Sequence, residues 1–329
     1  MKKMKVLIFG GGFGVYGHLP AYQMIPEFEV IGVVTRYQEH WRKHGLQIPV
    51  YSDIESAWRI SRPDWISLAI SPLAQEEYLQ NSQLKDCELV LEKPTYVTPG
   101  FSVKDPFMDD TLARSLVNFE FFEFPAWQKF LLLSQESPPD HLHIVWNFTS
   151  YSSRHKISSW KTTPRLGGGG LSHFCSHLFY AIEKICGKVV ALKCNFKDET
   201  QSQESQFNVE METLSTNVRI DFDSELPEEK PPEFSIRSSS GTSNIQMTNQ
   251  RVDRIDDWVL ETSNQIFKFE LPPHTPAKDY RSFYLSQLIQ RKLNGESYPS
   301  WSDGDRVQKI IEACRASAQQ NKKIALSVT

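Results

Sequence analysis

The first hundred residues alternate between short apolar runs and segments with helical periodicity. Four apolar runs recur along this part of the chain, at residues 6–9, 29–34, 65–70 and 89–91. Runs in which nearly every residue is apolar are typical of strands buried on both faces, as in a parallel sheet. The pattern therefore predicts a doubly wound parallel α/β sheet, which we assign to residues 1–117.

After about residue 117 the runs give way to strict alternation of apolar and polar positions. Residues 141–148, 189–197 and 207–222 all show this alternation, which predicts antiparallel strands with one covered face. Candidate helices are found in the same part of the chain, over residues 171–185, 280–293 and 303–321. We assign residues 118–329 to a second α+β domain with an open, mainly antiparallel sheet.

Composition narrows the class of protein. The chain has 329 residues, 40% hydrophobic, with a net charge of -4. Such a balance lacks the basic footprint of a nucleic-acid-binding protein, and no apolar run reaches the ~18 residues of a membrane span. The first apolar run is too short for the core of a signal peptide. Five cysteines without a C-x-x-C pair predict no disulfide framework. We expect a cytoplasmic protein that acts on a small molecule, without nucleic-acid or membrane partners.

A glycine-rich loop follows the first apolar run directly. Glycines allow the backbone to turn tightly and to approach a pyrophosphate, and the following helix points its N–H groups at that anion. Two registers fit G-x-G-x-x-G, one starting at Gly12 and one starting at Gly10 with Val15 in the third place. We favour the second, because the first glycine should follow the strand. Gly10, Gly12, Phe13 and Gly14 are thus candidate cofactor residues, although a glycine-rich turn without a ligand is the alternative.

The second strand ends without the acidic residue that NAD-specific folds place on the ribose hydroxyls. Thr35 and Arg36 stand there instead. A carboxylate would repel a 2′-phosphate, whereas an arginine can pair with it. The sequence therefore favours NADP(H) over NAD(H), with a solvated basic surface as the alternative explanation.

Lys93 comes at the end of the run at 89–91, between Glu92 and Pro94. Ligands of open α/β sheets bind outside the carboxyl ends of the strands, and Pro94 disfavours helical backbone at Lys93. An ammonium held there could donate a hydrogen bond to a reacting oxygen. A surface lysine at a strand end is the competing interpretation.

A second candidate segment begins at Trp160 and Lys161 and continues through four glycines, Gly167–Gly170. It is followed by His173 and His177, whose spacing places both on one face of a helix. Zinc ligation is disfavoured because no third ligand has convincing spacing. Two histidines hydrogen-bonded inside a domain interface remain an alternative.

Residues 141–182 contain no Asp or Glu, and their cationic side chains are Arg154, Lys156, Lys161 and Arg165. A locally basic segment in a mildly acidic protein predicts an anionic substrate. Pairing with acidic groups from elsewhere in the fold is the alternative.

In their order and spacing, these motifs resemble the Gfo/Idh/MocA oxidoreductases, the glucose–fructose oxidoreductase and inositol dehydrogenase group. The resemblance rests on the glycine loop and five further motifs, namely His18–Ala21, Glu92–Pro94, Trp160–Lys161 before Gly168–Leu171, His177–Phe179 and Trp301–Gly304. It implies hydride transfer between a nicotinamide cofactor and a sugar derivative, and self-association into a dimer or tetramer through the second domain's sheet.

The resemblance also implies roles for individual residues. Lys93 and His177 match two members of the family's catalytic trio, with Lys93 as the hydrogen-bond donor and His177 as the base. Cofactor contacts are implied for Ser71, Pro72, Glu92 and Lys93 in addition to the glycine loop, Thr35 and Arg36. Substrate contacts are implied for Trp160, Lys161, Arg165 and His173.

The chain departs from the family pattern at two site positions. His173 stands where the trio has its aspartate, and Glu76 stands where a histidine is usual after the fourth strand. The loss of the aspartate favours one alternative function, that of a non-catalytic dinucleotide-binding sensor or partner protein. A second alternative is a reductase of another unsaturated group, as biliverdin reductases of the same broad family are.

Overall fold

The computed structural model describes residues 2–60, 62–197, 204–241, 243–249, 251, 257–270 and 279–327. Backbone packing divides the chain into two compact units. The first comprises residues 1–120 and 274–305, and the second comprises residues 121–273 and 306–329.

The first unit contains a six-stranded sheet in which all strands are parallel. Its strands are β1 (Met4–Phe9), β2 (Phe28–Val34), β3 (Val50–Tyr51), β4 (Trp65–Leu68), β5 (Glu88–Leu91) and β6 (Leu116–Val117). They lie in the order β3-β2-β1-β4-β5-β6. The predicted doubly wound parallel sheet is confirmed, and β4 is buried at every position, which explains its continuous apolar run.

Five short helices connect these strands: α1 (Leu19–Gln23), α2 (Gln38–Lys43), α3 (Ile54–Ile60), α4 (Pro72–Leu79) and α5 (Phe107–Ala113). A π-helical turn, Gly14–His18, leads from the glycine loop into α1, and a 3₁₀ turn, Ser82–Asp86, follows α4. The strand order reverses its direction of growth between β1 and β4. That reversal opens a crevice at the carboxyl ends of the strands, where ligands of such sheets bind.

The second unit contains a nine-stranded sheet in the order β14-β13-β12-β11-β7-β10-β9-β8-β15. Its strands are β7 (His141–Asn147), β8 (Ala191–Phe196), β9 (Gln206–Glu212), β10 (Asn217–Asp223), β11 (Glu233–Ser240), β12 (Ser243–Asn249), β13 (Val259–Thr262), β14 (Ile266–Lys268) and β15 (Ile324–Ala325). The pairing of β7 with β10 is parallel, and the other described pairings are antiparallel. The predicted mainly antiparallel sheet is therefore confirmed.

The remaining helices are α6 (Pro125–Glu136), α7 (Tyr151–Arg154), α8 (Cys175–Cys186), α9 (Arg281–Leu293) and α10 (Trp301–Gln320). Short turns are found at Glu120–Glu123, Trp160–Thr162, Pro164–Leu166 and, as a π-helix, Gly170–Phe174. Helix α8 ends at Gly187, whose φ of 82° lies in the region that favours glycine. All five cysteines are buried and have free thiols. None of the described helices is both long and apolar enough to cross a membrane.

The division of the chain differs from the one predicted at 117/118 in two respects. The first boundary falls three residues later, after residue 120. Residues 274–305, of which 279–305 are described, belong to the first unit. Leu285, Leu288 and Ile289 of α9 are completely buried in the first unit's core. Lys292 of the same helix lies 2.8 Å from Glu88 at the start of β5. The chain thus returns to the first unit late, through contacts that a boundary drawn from local periodicity does not register.

Candidate active site

Glycine is needed in this loop for two reasons, the backbone conformation of Gly10 and the lack of space for a Cβ atom at Gly10 and Gly14. Gly10 follows β1 with a φ of +117°, a conformation that L side chains rarely adopt. A Cβ atom at Gly10 would lie 2.1 Å from the carbonyl oxygen of Ala69, just after β4. A Cβ at Gly14 would come within 3.2 Å of the Phe9 carbonyl oxygen, so Gly14 allows the helical turn to pack closely on β1.

Gly12 is different because its missing side chain faces open space. No described atom lies within 4 Å of the position that its Cβ would occupy. The N–H of Val15 donates to the Gly12 carbonyl at 2.9 Å and starts the helical turn. A pyrophosphate could therefore approach the backbone at Gly12, as the register beginning at Gly10 requires.

A small polar pocket lies where β2 ends. Thr35 is buried, and its Oγ1 is 2.5 Å from the position that a Cβ of Gly11 would take. Trp41 Nε1 is 2.9 Å from the same position and has no hydrogen-bond partner among the described residues. The exposed Arg36 places its guanidinium 4.9 Å from the centre of the Tyr37 ring. A hydroxyl, an indole N–H and a cation thus lie at the carboxyl end of β2.

Buried polar side chains converge on Glu92 at the carboxyl end of β5. Its Oε1 accepts hydrogen bonds from His18 Nε2 and Asn118 Nδ2, both at 2.8 Å. His18 is completely buried, and its Nδ1 lies 2.6 Å from Ser67 Oγ in β4. Burial raises the pKa of the Glu92 carboxyl, but the hydrogen bonds from His18 and Asn118 and the charge of Lys93 outweigh burial and lower it. Glu92 is therefore a fixed carboxylate.

The segment that carries Lys93 is held by two residues of α4. The Gln75 side chain donates to the carbonyls of Glu92 at 3.0 Å and Thr95 at 2.8 Å. Glu76, which stands in the place of the family's histidine, accepts from the backbone N–H of Thr98 at 2.6 Å and from that of Val97. The α4 helix begins with Ser71 as N-cap and Pro72 in its first turn. These bonds fix the backbone on both sides of Lys93.

Glu120 is a buried acid that the sequence analysis did not single out. It is only 3% exposed, and its Oε2 has no hydrogen-bond partner among the described residues. Burial and the nearby charge of Glu92 raise the pKa of Glu120 to about 8, against opposing effects of Arg281 and Lys93. A signal was present in the sequence, since Glu120 interrupts the apolar run from Leu116 to Phe122.

In the second unit, the glycines allow a helix to start in a crowded place. A Cβ at Gly168 would lie 2.0 Å from the Trp160 carbonyl oxygen, and one at Gly170 would lie 2.1 Å from the Glu204 carbonyl oxygen. Arg315 holds Glu204 at 2.6 Å and donates to Ser172 Oγ at 2.8 Å. Arg315 and Glu204 thus support the start of the helix, a role that required long-range contacts and left no local sequence signal.

The two histidines lie in different kinds of helix. His173 belongs to the π-helical turn and His177 to α8, so the uniform α-helical spacing that we expected between them is interrupted. The His173 ring packs edge-on against Trp160, with ring centres 5.8 Å apart. The His177 ring stacks on Phe121 at 4.2 Å with an interplanar angle of 8°. Each imidazole is oriented by an aromatic neighbour.

The cationic residues of the acid-free segment are all exposed. Lys161 lies 5.9 Å from the Trp160 ring centre, which places it beside the same tryptophan as His173. Arg165 lies in the turn just before the glycines. Arg154 and Lys156 are exposed in and after α7. Among the described residues, no group of three or more His, Cys, Asp or Glu side chains could hold a metal ion.

Two models of the same protein family match this chain. The family model "oxidoreductase family, NAD-binding Rossmann fold" matches residues 4–103. The model "oxidoreductase family, C-terminal alpha/beta domain" matches residues 141–326. The chain belongs to the Gfo/Idh/MocA oxidoreductase family. The first unit therefore carries the family's NAD-binding Rossmann fold, and its open glycine loop fits a nicotinamide dinucleotide.

Individual relatives are distant in sequence. An uncharacterised oxidoreductase of Synechocystis sp. is 24% identical over 204 residues, which cover 58% of this chain and 54% of that protein. The chain thus matches about half the length of this curated relative.

Solved structures are similar over the whole chain. The WlbA dehydrogenase of Bordetella pertussis, solved with NADH and UDP-GlcNAcA, is 15% identical with 99% of each chain covered and a TM-score of 0.77. Levoglucosan dehydrogenase, solved with NADH and levoglucosan, is 14% identical with both chains fully covered and a TM-score of 0.78. An oxidoreductase domain protein of Kribbella flavida is 12% identical, covers 99% of this chain and 100% of that one, and has a TM-score of 0.80. At these identities the likeness shows the shared fold.

Proposed function

We propose that this Gfo/Idh/MocA oxidoreductase transfers a hydride between a nicotinamide cofactor and a secondary alcohol or ketone of a sugar derivative. The observation that carries the proposal is the fixed position of Lys93. It lies at the carboxyl end of β5, in the unit that matches the NAD-binding fold, between segments held by Gln75 and Glu76. An ammonium in this place is suited to stabilise an oxygen on which negative charge develops.

The remaining roles follow from the chemistry of alcohol oxidation. A bound nicotinamide cofactor would supply the hydride acceptor, and the protein has to remove the hydroxyl proton and hold the oxygen. We assign the base to His177, because histidine titrates near neutral pH and Phe121 orients its ring. Lys93 donates a hydrogen bond to the reacting oxygen. His173 and Trp160 provide an imidazole and an aromatic face for the substrate.

The cofactor proposed is NADP(H) in preference to NAD(H). The pocket after β2 contains the Arg36 cation and the Trp41 Nε1–H, which has no hydrogen-bond partner among the described residues. Thr35 stands where NAD-specific folds have a carboxylate. A 2′-phosphate needs cations and N–H donors and is repelled by an acid. The open sheet of the second unit is the surface proposed for a homodimer or homotetramer.

The substrate proposed is anionic. Lys161 and Arg165 lie before the glycines that lead into the helix. They belong to a segment of 42 residues, 141–182, that contains no Asp or Glu. Two relatives show that this fold accommodates both kinds of ligand, because WlbA was solved with a nucleotide-linked sugar acid and levoglucosan dehydrogenase with an uncharged sugar. A phosphorylated, nucleotide-linked or carboxylated sugar would use the cations of this segment.

A substrate panel with both oxidised cofactors tests the proposal. We expect turnover of at least one sugar derivative, faster with NADP than with NAD, and kcat/KM about tenfold higher for an anionic sugar than for its neutral counterpart at matched ionic strength. Better turnover of neutral sugars would overturn the anionic assignment. Cofactor binding without turnover of any sugar would favour a non-catalytic role, for which the replacement of the family's aspartate by His173 is the specific argument.

A further inference from the structure

The acid at Glu120 requires an explanation that the proposed roles do not provide. It is the third residue after β6, begins the turn Glu120–Glu123 and is almost completely buried. One of its oxygens makes no hydrogen bond to a described residue. Buried polar atoms of native proteins nearly always have a partner, and an exception calls for a functional or ligand-based reason.

Charged groups surround Glu120 within the first unit. Glu92 repels it, whereas Lys93 and Arg281 attract it. Arg281 is itself held by Asp279 through contacts of 2.9 and 2.6 Å, and its guanidinium lies 4.6 Å from the centre of the Phe13 ring in the glycine loop. The cluster of Glu92, Lys93, Glu120 and Arg281 thus adjoins the loop that fits the cofactor.

The environments of the two carboxyl groups of this cluster shift their pKa values in opposite directions. Glu92 accepts hydrogen bonds from His18 and Asn118 and is held as a carboxylate. Glu120 has no comparable donors, and a second negative charge beside Glu92 is unfavourable. When the environments of two neighbouring acids separate their pKa values in this way, one of them can hold and release a proton near neutral pH.

The strand order indicates which part of the cofactor this cluster faces. In a doubly wound sheet the dinucleotide crosses the switch point, with its adenosine half on the β2 side of β1. The nicotinamide half then extends towards β4 and β5. Lys93 ends β5, and Glu120 follows β6, which pairs with β5. Glu120 therefore belongs to the nicotinamide half of the crevice.

We propose that Glu120 is a proton-exchanging group that couples the charge of the cofactor site to the redox state of the nicotinamide. This inference rests on the proposed function. The oxidised ring carries a positive charge and favours ionised Glu120, whereas the reduced ring is neutral and allows Glu120 to keep its proton. His177 takes the proton of the alcohol and releases one proton to solvent, while Glu120 takes up one proton from solvent. The sum balances, because alcohol, oxidised cofactor and Glu120 carboxylate then become ketone, reduced cofactor and Glu120 carboxylic acid. The proton that alcohol oxidation would otherwise release is retained on the protein.

Cofactor binding without substrate tests the proposal. Dissociation constants of NADP and NADPH, and of NAD and NADH, would be measured by calorimetry from about pH 6 to about pH 9. For the wild type we expect the ratio of the oxidised to the reduced dissociation constant to fall with rising pH, by up to about tenfold per pH unit, as a one-proton linkage requires. In Glu120→Gln the ratio should be independent of pH.

Glu88→Gln is the matched control, because Glu88 lies at the start of β5, the end opposite Glu92 and Lys93, and pairs with Arg114 and Lys292. This variant should keep the wild-type pH dependence. A second measurement needs no variant: titrations at about pH 7.5 in buffers of different ionisation enthalpy should show more proton release with the oxidised than with the reduced cofactor.

The outcomes are distinguishable. If both cofactor forms bind and the wild type shows equal proton release with each, Glu120 does not exchange a proton and the inference is wrong. A pH dependence that persists in Glu120→Gln would equally overturn it while leaving the proposed function intact. If neither cofactor form binds, the proposed function fails and this inference fails with it.

Discussion

The candidate site of the first unit is built from glycine backbone and buried charge, whereas that of the second unit is built from aromatic rings and exposed cations. Around β5, His18, Glu92 and Asn118 form a buried hydrogen-bonded network. Around the glycine-led helix, His173 and His177 pack instead against Trp160 and Phe121. Dinucleotide binding requires a particular backbone conformation and charges at particular positions. An aromatic and cationic surface can be adapted to a new substrate. Of the chain's two departures from the family pattern, His173 lies in the second unit and Glu76 in the first.

The largest expected effect comes from removing one proposed acid–base group from each unit. Lys93→Ala and His177→Ala should each lower kcat by about 100-fold or more, because a positioned acid–base group contributes on that scale. Calorimetry should show that His177→Ala still binds NADP with nearly wild-type affinity, since His177 belongs to the second unit.

Exposed residues of the same type provide controls for these two variants. Lys104→Ala in the first unit and His155→Ala in the second change exposed side chains and should leave kcat unchanged. A wild-type kcat in Lys93→Ala or in His177→Ala would remove that residue from the mechanism.

The next effect separates the roles of the glycines. Gly12→Ala should fold with nearly wild-type stability, because its Cβ would face open space, but should weaken NADP binding by about tenfold or more. Gly10→Ala should instead destabilise the protein by more than about 1 kcal/mol, because its φ is positive and its Cβ would meet Ala69. Thermal unfolding and calorimetry distinguish the two results.

Gly170→Ala is the corresponding change in the second unit. Its Cβ would lie 2.1 Å from the Glu204 carbonyl oxygen, so unfolding temperature should fall while NADP affinity of the folded protein is maintained. Wild-type NADP affinity in Gly12→Ala would contradict the assignment of the loop, and loss of affinity in folded Gly170→Ala would contradict the proposed separation of roles.

A smaller effect is expected at the pocket after β2. Arg36→Ala should narrow the preference for NADP over NAD by about threefold to tenfold, because an exposed arginine contributes a charge-assisted contact that solvent partly screens. Trp41→Phe keeps an aromatic ring and removes the N–H donor. Combined with Arg36→Ala, it should narrow the preference for NADP over NAD further. Equal affinities for NADP and NAD in the wild type would show that the pocket does not select a 2′-phosphate.

The last expected effect is on stability rather than on activity or binding, and it appears as a dependence on pH. The pKa of Glu120 is raised from 4.5 to about 8 in the folded protein, so the folded state keeps a proton that the unfolded chain has released over that range. The wild-type free energy of unfolding should therefore gain a contribution below pH 4.5 that is lost as pH rises to about 8. Relative to the wild type, Glu120→Gln should gain unfolding temperature across this window. Parallel pH profiles of unfolding temperature would contradict the raised pKa.

The two sheets and the family could be predicted from the sequence alone. Continuous apolar runs predict strands buried on both faces, and alternation predicts strands with one covered face, because side-chain direction in a strand has a period of two. The glycine loop was equally readable, since only glycine tolerates the φ of Gly10. These features depend on residues close together in the chain, and local patterns therefore reveal them.

The contacts between residues that are far apart in the chain could be seen only in the folded protein. It returned residues 274–305 to the first unit, through the buried face of α9. It gave Glu76 the role of holding Val97 and Thr98, and it placed Glu120 beside Glu92, Lys93 and Arg281. The protonation state of a carboxyl group depends on burial and on charges brought close by folding, and neither quantity is encoded in the local sequence around it.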